Sequence, residues 1–170
     1  MPVDKPAYMH SFAMTERYLV LTEFPLVVDP LRLLLAAAPF IRNYRWLPER
    51  GLRFHVFDKD SGALVASRTA DAAFAFHHVN AFEEGSDLLI DVITYDDAGI
   101  IDQLYLSRLR AGDAVNATGR LTRCILSLDD AEPVEVVLRF HPQVAQRVQE
   151  TRWHRHQQLE TQADGYLLWR

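Results

Sequence analysis

Several features that would indicate particular classes of protein are scarce or missing in this sequence. It has one cysteine, Cys124, in 170 residues, which excludes an intrachain disulfide and is typical of a reducing compartment. Acidic residues outnumber basic ones, 23 to 18, so we expect no positive field that would attract nucleic acid. The longest apolar run, LLLAAAPFI at 33–41, is too short to span a bilayer. The first residues lack the pattern of a secretory signal, and we expect a cytoplasmic protein.

What is present is a series of short apolar segments separated by turn residues. The length suits one domain with a moderate core. Residues 52–70, 73–96 and 119–140 each predict two strands joined by a polar turn, with the turn sequences DKDSG, EEGS and DDAEP. Before them, residues 17–40 predict a strand bent at a proline and then a short helix. Many short strands with regularly spaced turns predict an all-β sandwich, barrel or propeller.

Seven histidines raise the question of a metal site. They occur in no HExxH motif and with no CxxC pair, so no common short-range zinc motif applies. His77 and His78 are neighbours in a predicted strand, and their side chains should therefore point to opposite faces. An imidazole among apolar residues must be neutral and hydrogen-bonded, or bound to a metal. The residues alone favour packing over metal binding for this pair and for His10, and leave both interpretations open.

The other histidines carry weaker signals. His55 falls in a predicted strand, where we expect it at the sheet surface. His154 and His156 form HRH in a segment predicted to be helical, where a spacing of two points them apart onto a solvated face. We assign His141 no role.

Four longer stretches carry a more specific signal when they are taken together. They are YMHSFAMTERYLVLTEFPLVVDPL at 8–31, YRWLPERGLRFHVFDKDSG at 44–62, FAFHHVNAFEEGSDLLIDVITYDD at 74–97 and IIDQLYLSRLR at 100–110. In order and spacing they resemble the carotenoid oxygenase family, which includes the carotenoid cleavage dioxygenases and the retinal pigment epithelium isomerase. The resemblance covers nearly all of residues 5–130.

This resemblance implies a fold and a metal site. The family fold is a seven-bladed β-propeller, of which this chain would form about two to three blades with short helical insertions. Four histidines from different blades hold Fe(2+) on the propeller axis. His10 of MHSF and His77 of FHHVN match two of these metal ligands, and His78 would then pack or hydrogen-bond within its own blade. Phe76 matches a position that lines an apolar substrate tunnel.

The resemblance also implies a reaction and partners. The reaction is oxidative cleavage of a C=C bond by O₂, in a carotenoid, an apocarotenoid or a stilbene-like substrate, and iron carries that chemistry. A small apolar polyene requires an apolar tunnel rather than charged anchors. The run at 33–41 matches an apolar surface near the tunnel mouth, so peripheral membrane contact is a further hypothesis. A complementing chain that completes the ring is another expected partner.

The sequence departs from the family pattern in length and in one motif. Two of the four ligands belong to blades that would lie before residue 1 and after residue 170. The family also has a segment like EFPR, whose glutamate hydrogen-bonds an iron-bound histidine, whereas RFHPQV stands here at 139–144. The resemblance fades from about residue 140. We therefore divide the chain into a partial propeller domain at 1–140 and a divergent tail at 141–170, predicted to be helical.

Three hypotheses for function follow from these observations. The first is an Fe(2+)-dependent dioxygenase that cleaves a carotenoid-like substrate, present here as an incomplete chain. The second is a catalytically inactive fragment, or a β-rich module that binds an apolar ligand or a partner chain. The missing half of the ligand set supports this second hypothesis. The third is a small zinc protein that depends on His10.

Overall fold

The computed structural model describes most of the chain. The described residues are 3–35, 38–129, 135–140, 149, 158–163 and 166–169. Twelve strands lie in these ranges: β1 (Ala13–Met14), β2 (Tyr18–Glu23), β3 (Leu26–Val28), β4 (Tyr44–Trp46), β5 (Leu52–Asp58), β6 (Leu64–Ala70), β7 (Phe74–Glu84), β8 (Asp87–Tyr95), β9 (Arg120–Ser127), β10 (Glu135–Phe140), β11 (Leu159–Thr161) and β12 (Leu167–Trp169). Three short α-helices accompany them, α1 (Pro30–Leu35), α2 (Gly99–Gln103) and α3 (Leu106–Ala111), together with 3₁₀ helices at Phe40–Asn43 and Pro48–Arg50.

The first sheet has four antiparallel strands in the order β1-β2-β5-β6. Along β2, residues alternate between buried and half-buried positions, as expected for a strand with one face on the core. The turn between β5 and β6 is built by Asp58, whose carboxylate accepts hydrogen bonds from the amide and hydroxyl of Ser61. Gly62 follows with a φ of 69°, a left-handed conformation that glycine adopts without strain. The DKDSG stretch therefore forms the predicted turn.

The second sheet has six strands in the order β11-β12-β10-β9-β8-β7. β7 pairs with β8, β8 with β9 and β9 with β10, all antiparallel. The three predicted hairpins, β5–β6, β7–β8 and β9–β10, are confirmed. The bent strand is also confirmed, since β2 and β3 are separate strands on either side of Pro25.

One apolar cluster is shared by the two sheets. The first sheet contributes Val20, Phe54 and Val56, and the second contributes Phe74 and Ile90; each of these side chains is at most 1% exposed. Such residues supply about 1.5–3 kcal/mol each when they are buried from water. The two sheets are therefore held against each other by a common core, and residues at their junction are fixed in position.

The tail differs from the prediction over most of its described residues. The helical expectation is wrong for residues 159–161 and 167–169, which form β11 and β12 and pair with each other. β12 also pairs with β10, so these strands extend the second sheet. His141, Pro142, His154 and His156 lie outside the described residues, and the domain boundary at residue 140 stays a prediction.

Helix α1 presents apolar side chains to solvent. The carboxylate of Asp29 accepts a hydrogen bond from the Leu31 amide and so caps the first turn. Leu31, Leu34 and Leu35 are 67%, 81% and 82% exposed, and Phe40 nearby is 62% exposed. Among the described residues, no helix is both long enough and apolar enough to cross a membrane.

Candidate metal centre

His10 and His77 lie side by side at the junction of the two sheets. His10 comes just before β1, and His77 lies in β7. Their ring centres are 5.0 Å apart, the ring planes are nearly perpendicular at 83°, and both side chains are exposed. The structure thus brings together the two histidines that the sequence singled out, although 67 positions separate them. Their role as metal ligands stays a prediction.

The distance between the two ring centres is compatible with one shared metal ion. With metal–nitrogen bonds of about 2.1 Å, two imidazoles on neighbouring coordination positions have ring centres roughly 4.5–5 Å apart. Two imidazole nitrogens would be half of the four-histidine donor set that the family resemblance implies, and imidazole suits iron. Within the described part of the chain, no group of three or more His, Cys, Asp or Glu side chains could hold a metal. As metal ligands, His10 and His77 would therefore form only part of a metal site.

Aromatic side chains surround the histidine pair. The Phe76 ring lies 5.7 Å from His10 and 6.2 Å from His77, measured between ring centres. Tyr8 packs edge-on to Phe76, and its hydroxyl lies 3.2 Å from Nδ1 of His10. This wall is apolar beside the imidazoles, as a tunnel for an apolar substrate would require. The assignment of Phe76 to a tunnel stays a prediction.

A cleft opens next to this wall. It has a volume of about 520 Å³ and is lined in part by Ile41, Tyr44 and Trp46. Tyr44 packs edge-on to Tyr8, with the ring centres 5.7 Å apart. Burial, followed by the influence of Tyr8, raises the pKa of the Tyr44 phenol, so it stays neutral. The aromatic wall thus continues from the histidine pair to the cleft.

The backbone of β7 is irregular where it carries His77. The pairing of β7 with β8 shifts between Ala75 and His78, and again between His78 and Asn80. Such bulges place an extra residue in one strand and redirect its side chains, and they are common next to functional sites. His77 therefore lies in the segment where the ladder departs from regular pairing.

His78 has a different environment from His77, as the alternation of a strand predicts. Its Nδ1 lies 2.8 Å from Oγ of Ser11, and its Nε2 lies 2.9 Å from Oγ1 of Thr22. Its backbone amide also donates to Oγ of Ser11, over 2.9 Å. Burial lowers the pKa of His78 to about 4, so the imidazole is neutral near pH 7. Both ring nitrogens are used within the protein, and His78 is a structural residue.

The partners of His78 differ from the expectation in one respect. We expected it to pack within its own blade, but Thr22 lies in β2 of the first sheet and Ser11 comes just before β1. Both hydroxyls therefore reach across the junction of the two sheets. The sequence gives no signal for these contacts, because they join residues 56 and 67 positions apart.

The segment at residues 11–17 makes a second contact with β7, at Glu83, five residues beyond His78. The Thr15 hydroxyl donates to the Glu83 carboxylate over 2.5 Å, and the Arg17 amide donates to the same oxygen over 3.1 Å. The hydrogen bond from Thr15 is the largest cause of the lowered pKa of Glu83. Residues 11–17 are thus tied to β7 at both ends.

His55 differs from its sequence prediction. We expected it at the sheet surface, but it is only 9% exposed, because it lies between its neighbours on β2 and β6. Its Nδ1 lies 3.0 Å from Oγ of Ser67, whereas its Nε2 has no hydrogen-bond partner among the described residues. The nearest carboxylate oxygen, from Glu23, is 3.5 Å away. These contacts of His55 are not with His10 or His77, and we assign it no role in the histidine pair.

Comparisons with known proteins agree with this architecture. The family model of RPE65, the retinal pigment epithelial membrane protein, matches residues 1–161. That match extends beyond residue 140, where we expected the resemblance to fade. A rice protein named carotenoid cleavage dioxygenase 8 homolog A, chloroplastic, is 37% identical over 145 residues, which are 81% of this chain and 26% of the rice protein. A mitochondrial carotenoid-cleaving dioxygenase from Macaca fascicularis is 36% identical over 68% of this chain and 22% of its own length.

Solved structures give the same result for the fold. Cobalt-substituted Synechocystis ACO matches with a TM-score of 0.63 and 25% identity, over 76% of this chain and 26% of that chain. Lignostilbene dioxygenase from Pseudomonas brassicacearum matches with a TM-score of 0.58 and 25% identity, over 76% and 27% of the two chains. The predicted fold class, an all-β part of a β-propeller, is confirmed. The chain spans about a quarter of the length of the curated relatives it matches.

Proposed function

This chain belongs to the RPE65, retinal pigment epithelial membrane protein, family, and on that basis we propose that it forms part of a non-haem iron oxygenase. In this proposal, His10 and His77 are two of the four histidine ligands of Fe(2+). The enzyme would cleave a C=C bond of a carotenoid, an apocarotenoid or a stilbene-like substrate with O₂, giving two carbonyl products. The single observation that carries the proposal is the exposed imidazole pair, with ring centres 5.0 Å apart, beside an aromatic wall.

The residues of this chain would have distinct tasks in that reaction. Bound Fe(2+) would supply the activation of O₂. His10 and His77 would hold the metal, and the Tyr8 hydroxyl at Nδ1 of His10 leaves Nε2 of that ring as the nitrogen open to a ligand. Phe76 would contact the polyene and exclude water from the reacting bond.

Metal analysis followed by an activity assay tests this proposal. The full chain is loaded anaerobically with Fe(2+), desalted and analysed for iron, and polyene cleavage is then followed by loss of absorbance and by product chromatography. We expect bound iron that is lost in His10→Ala and in His77→Ala. Val79→Ala, at an exposed position of the same strand, is the matched control and should retain iron. Absence of iron from the loaded wild-type chain would exclude the proposal for the isolated chain.

The second candidate is a catalytically inactive fragment or a module that binds an apolar ligand or a complementing chain. It is favoured by the absence of a third metal-binding side chain near the pair among the described residues. In such a module, a bound polyene would quench the fluorescence of Trp46 at the cleft, and no O₂ would be consumed. Zinc at a stoichiometry near one, lost in His10→Ala, would instead support a zinc protein.

We also propose that the chain is cytoplasmic and makes peripheral contact with a membrane through α1. The support is the exposure of Leu31, Leu34 and Leu35, since exposed apolar patches mark interaction surfaces. Co-sedimentation with phosphatidylcholine vesicles tests this proposal. The triple substitution of these leucines by serine should abolish binding, whereas Leu64→Ser, at an exposed leucine of β6, should not. Unchanged binding of the triple variant would exclude α1 as the contact.

A further inference from the structure

We propose that Ser11 and His78 form a clamp that positions the imidazoles of His10 and His77 beside each other. This inference rests on the proposed function, because it concerns the two residues that we assign to the metal. Ser11 and His78 would be positioning residues, since they touch neither the metal nor the substrate. Their effect would pass through the residues that immediately precede them in the chain.

The clamp joins the two residues that directly follow the candidate ligands. Ser11 directly follows His10, and His78 directly follows His77. Oγ of Ser11 is hydrogen-bonded both to the backbone amide and to the ring of His78, at 2.9 and 2.8 Å. These two bonds therefore fix the distance between two chain segments, each one residue away from an exposed imidazole. The ring of His10 is held in addition by the Tyr8 hydroxyl at its Nδ1.

The ring of His78 is held at its other end as well. Oγ1 of Thr22 lies 2.9 Å from Nε2, and the Phe24 ring packs at 6.3 Å between ring centres. Whichever ring nitrogen carries the proton, both are engaged, so the imidazole cannot rotate without breaking a hydrogen bond in a half-buried place. The clamp is therefore rigid, which a positioning role requires.

Regular pairing alone does not set the direction of either candidate ligand. His10 lies between the hydrogen bond from the Tyr8 amide to the Leu26 carbonyl and the first ladder pair of β1, Ala13 with Val20. His77 lies in the shifted part of the β7–β8 ladder. Two segments with irregular backbone need another restraint if their side chains are to stay paired. The contact between Ser11 and His78 lies within both segments and supplies that restraint.

A copper probe tests the clamp without relying on catalysis. Cu(II)–iminodiacetate binds tightly and with two protein nitrogens only where two imidazoles are held side by side. The full chain carries His141→Gln, His154→Gln and His156→Gln, so that these histidines do not contribute. Titration gives the affinity, and electron paramagnetic resonance gives the number of coordinated protein nitrogens, counted in addition to the amine nitrogen of iminodiacetate. We expect two nitrogens in this background, and one in His10→Ala or His77→Ala.

The decisive variant is Ser11→Ala. It should bind Cu(II)–iminodiacetate about 10-fold or more weakly, as is typical when a residue that orients a metal ligand is lost, and should show one nitrogen. The matched control is Thr15→Val, which removes the hydrogen bonds of the Thr15 hydroxyl with Glu83 and with the Tyr18 amide at the other end of the same segment. It should keep two nitrogens. If Ser11→Ala does not fold, His78→Phe replaces it, because phenylalanine retains the ring shape and the backbone amide.

The outcomes separate the clamp from the proposed function. Two nitrogens and unchanged affinity in Ser11→Ala would overturn the clamp, and so would an equal loss in Thr15→Val, since the effect would then be general stability. One nitrogen in the background chain would overturn both the histidine pair and the clamp. Two nitrogens lost selectively in Ser11→Ala, in a chain that cleaves no polyene, would support the clamp and contradict only the proposed activity.

Discussion

His77 and His78 are neighbours in one strand, yet they occupy two different environments. The His77 side chain is exposed and faces the His10 ring. His78 is half-buried and bound by hydroxyls at both ring nitrogens. The same residue type therefore serves two purposes at adjacent positions, and the surroundings decide which. An imidazole with exposed nitrogens is available to a ligand, whereas one with saturated nitrogens contributes to structure.

The contrast between His77 and His78 predicts its largest effect on stability when each residue is replaced by alanine. His78→Ala leaves the hydroxyls of Ser11 and Thr22 without their ring partners and opens a cavity, so it should lower the free energy of unfolding by about 3 kcal/mol. His77→Ala removes an exposed side chain and should change it by less than about 0.5 kcal/mol. Urea unfolding at pH 7 measures both. Equal losses would show that the two environments are not energetically distinct.

The pH dependence of stability should report on His78 next. Because burial lowers the pKa of His78 in the folded state to about 4 from its ordinary 6.5, the unfolded chain binds the proton first as the pH falls. The stability is therefore complete above pH 6.5 and is lost towards pH 4, by roughly 2–3 kcal/mol. Urea midpoints across this range measure the loss. In His78→Phe this part of the pH dependence should disappear, and its persistence would assign the effect to another group.

A smaller effect is expected from one hydroxyl of the His78 network. Thr22→Val keeps the side-chain shape but leaves Nε2 of His78 without its hydrogen bond, so the free energy of unfolding should fall by about 1–2 kcal/mol. Thr69→Val, at an exposed position of β6, is the matched control and should change stability by less than about 0.5 kcal/mol. A similar result for the two variants would mean that solvent replaces Thr22 at the ring.

The smallest effect on stability should come from Glu83, at the exposed end of the contact between residues 11–17 and β7. Glu83 accepts hydrogen bonds from Thr15 and Arg17, and a glutamine carbonyl can accept them too. Glu83→Gln should therefore lower the free energy of unfolding by less than about 0.5 kcal/mol. Thermal unfolding with a precision of a few tenths of a kcal/mol is sufficient to measure it. A loss as large as that in Thr22→Val would show that the exposed contact is as important as the buried one.

The sequence predicted the features that depend on local pattern. The hairpin at 52–70 was predictable because alternating residues flank a stretch with turn-forming Asp, Ser and Gly. The opposite environments of His77 and His78 followed from the two-residue period of a strand. The proximity of His10 and His77 came only from the family resemblance, since no local pattern relates two residues so far apart in the chain.

What the sequence did not predict depends on short strands or distant contacts. β11 and β12 have three residues each, too few for an alternating pattern, and they lie in a segment rich in Gln and Arg. Ser11 and Thr22 are common residue types whose role depends on their distance from His78. We expected His55 at the surface because the alternating pattern of β5 carries no information about the side chains of β2 and β6 that cover it.

The two shifts in the β7 ladder have one more consequence. From Ala75 to Asn80, β7 advances five residues, while its partner β8 advances three, from Thr94 to Asp91. Each of the two shifts absorbs one extra residue of β7, so the core residues on both sides of the shifts keep their faces. Loss of both extra residues would restore an unbroken ladder and remove the histidine site. The two extra residues of β7 therefore shape the histidine site, and regular pairing of β7 with β8 does not require them.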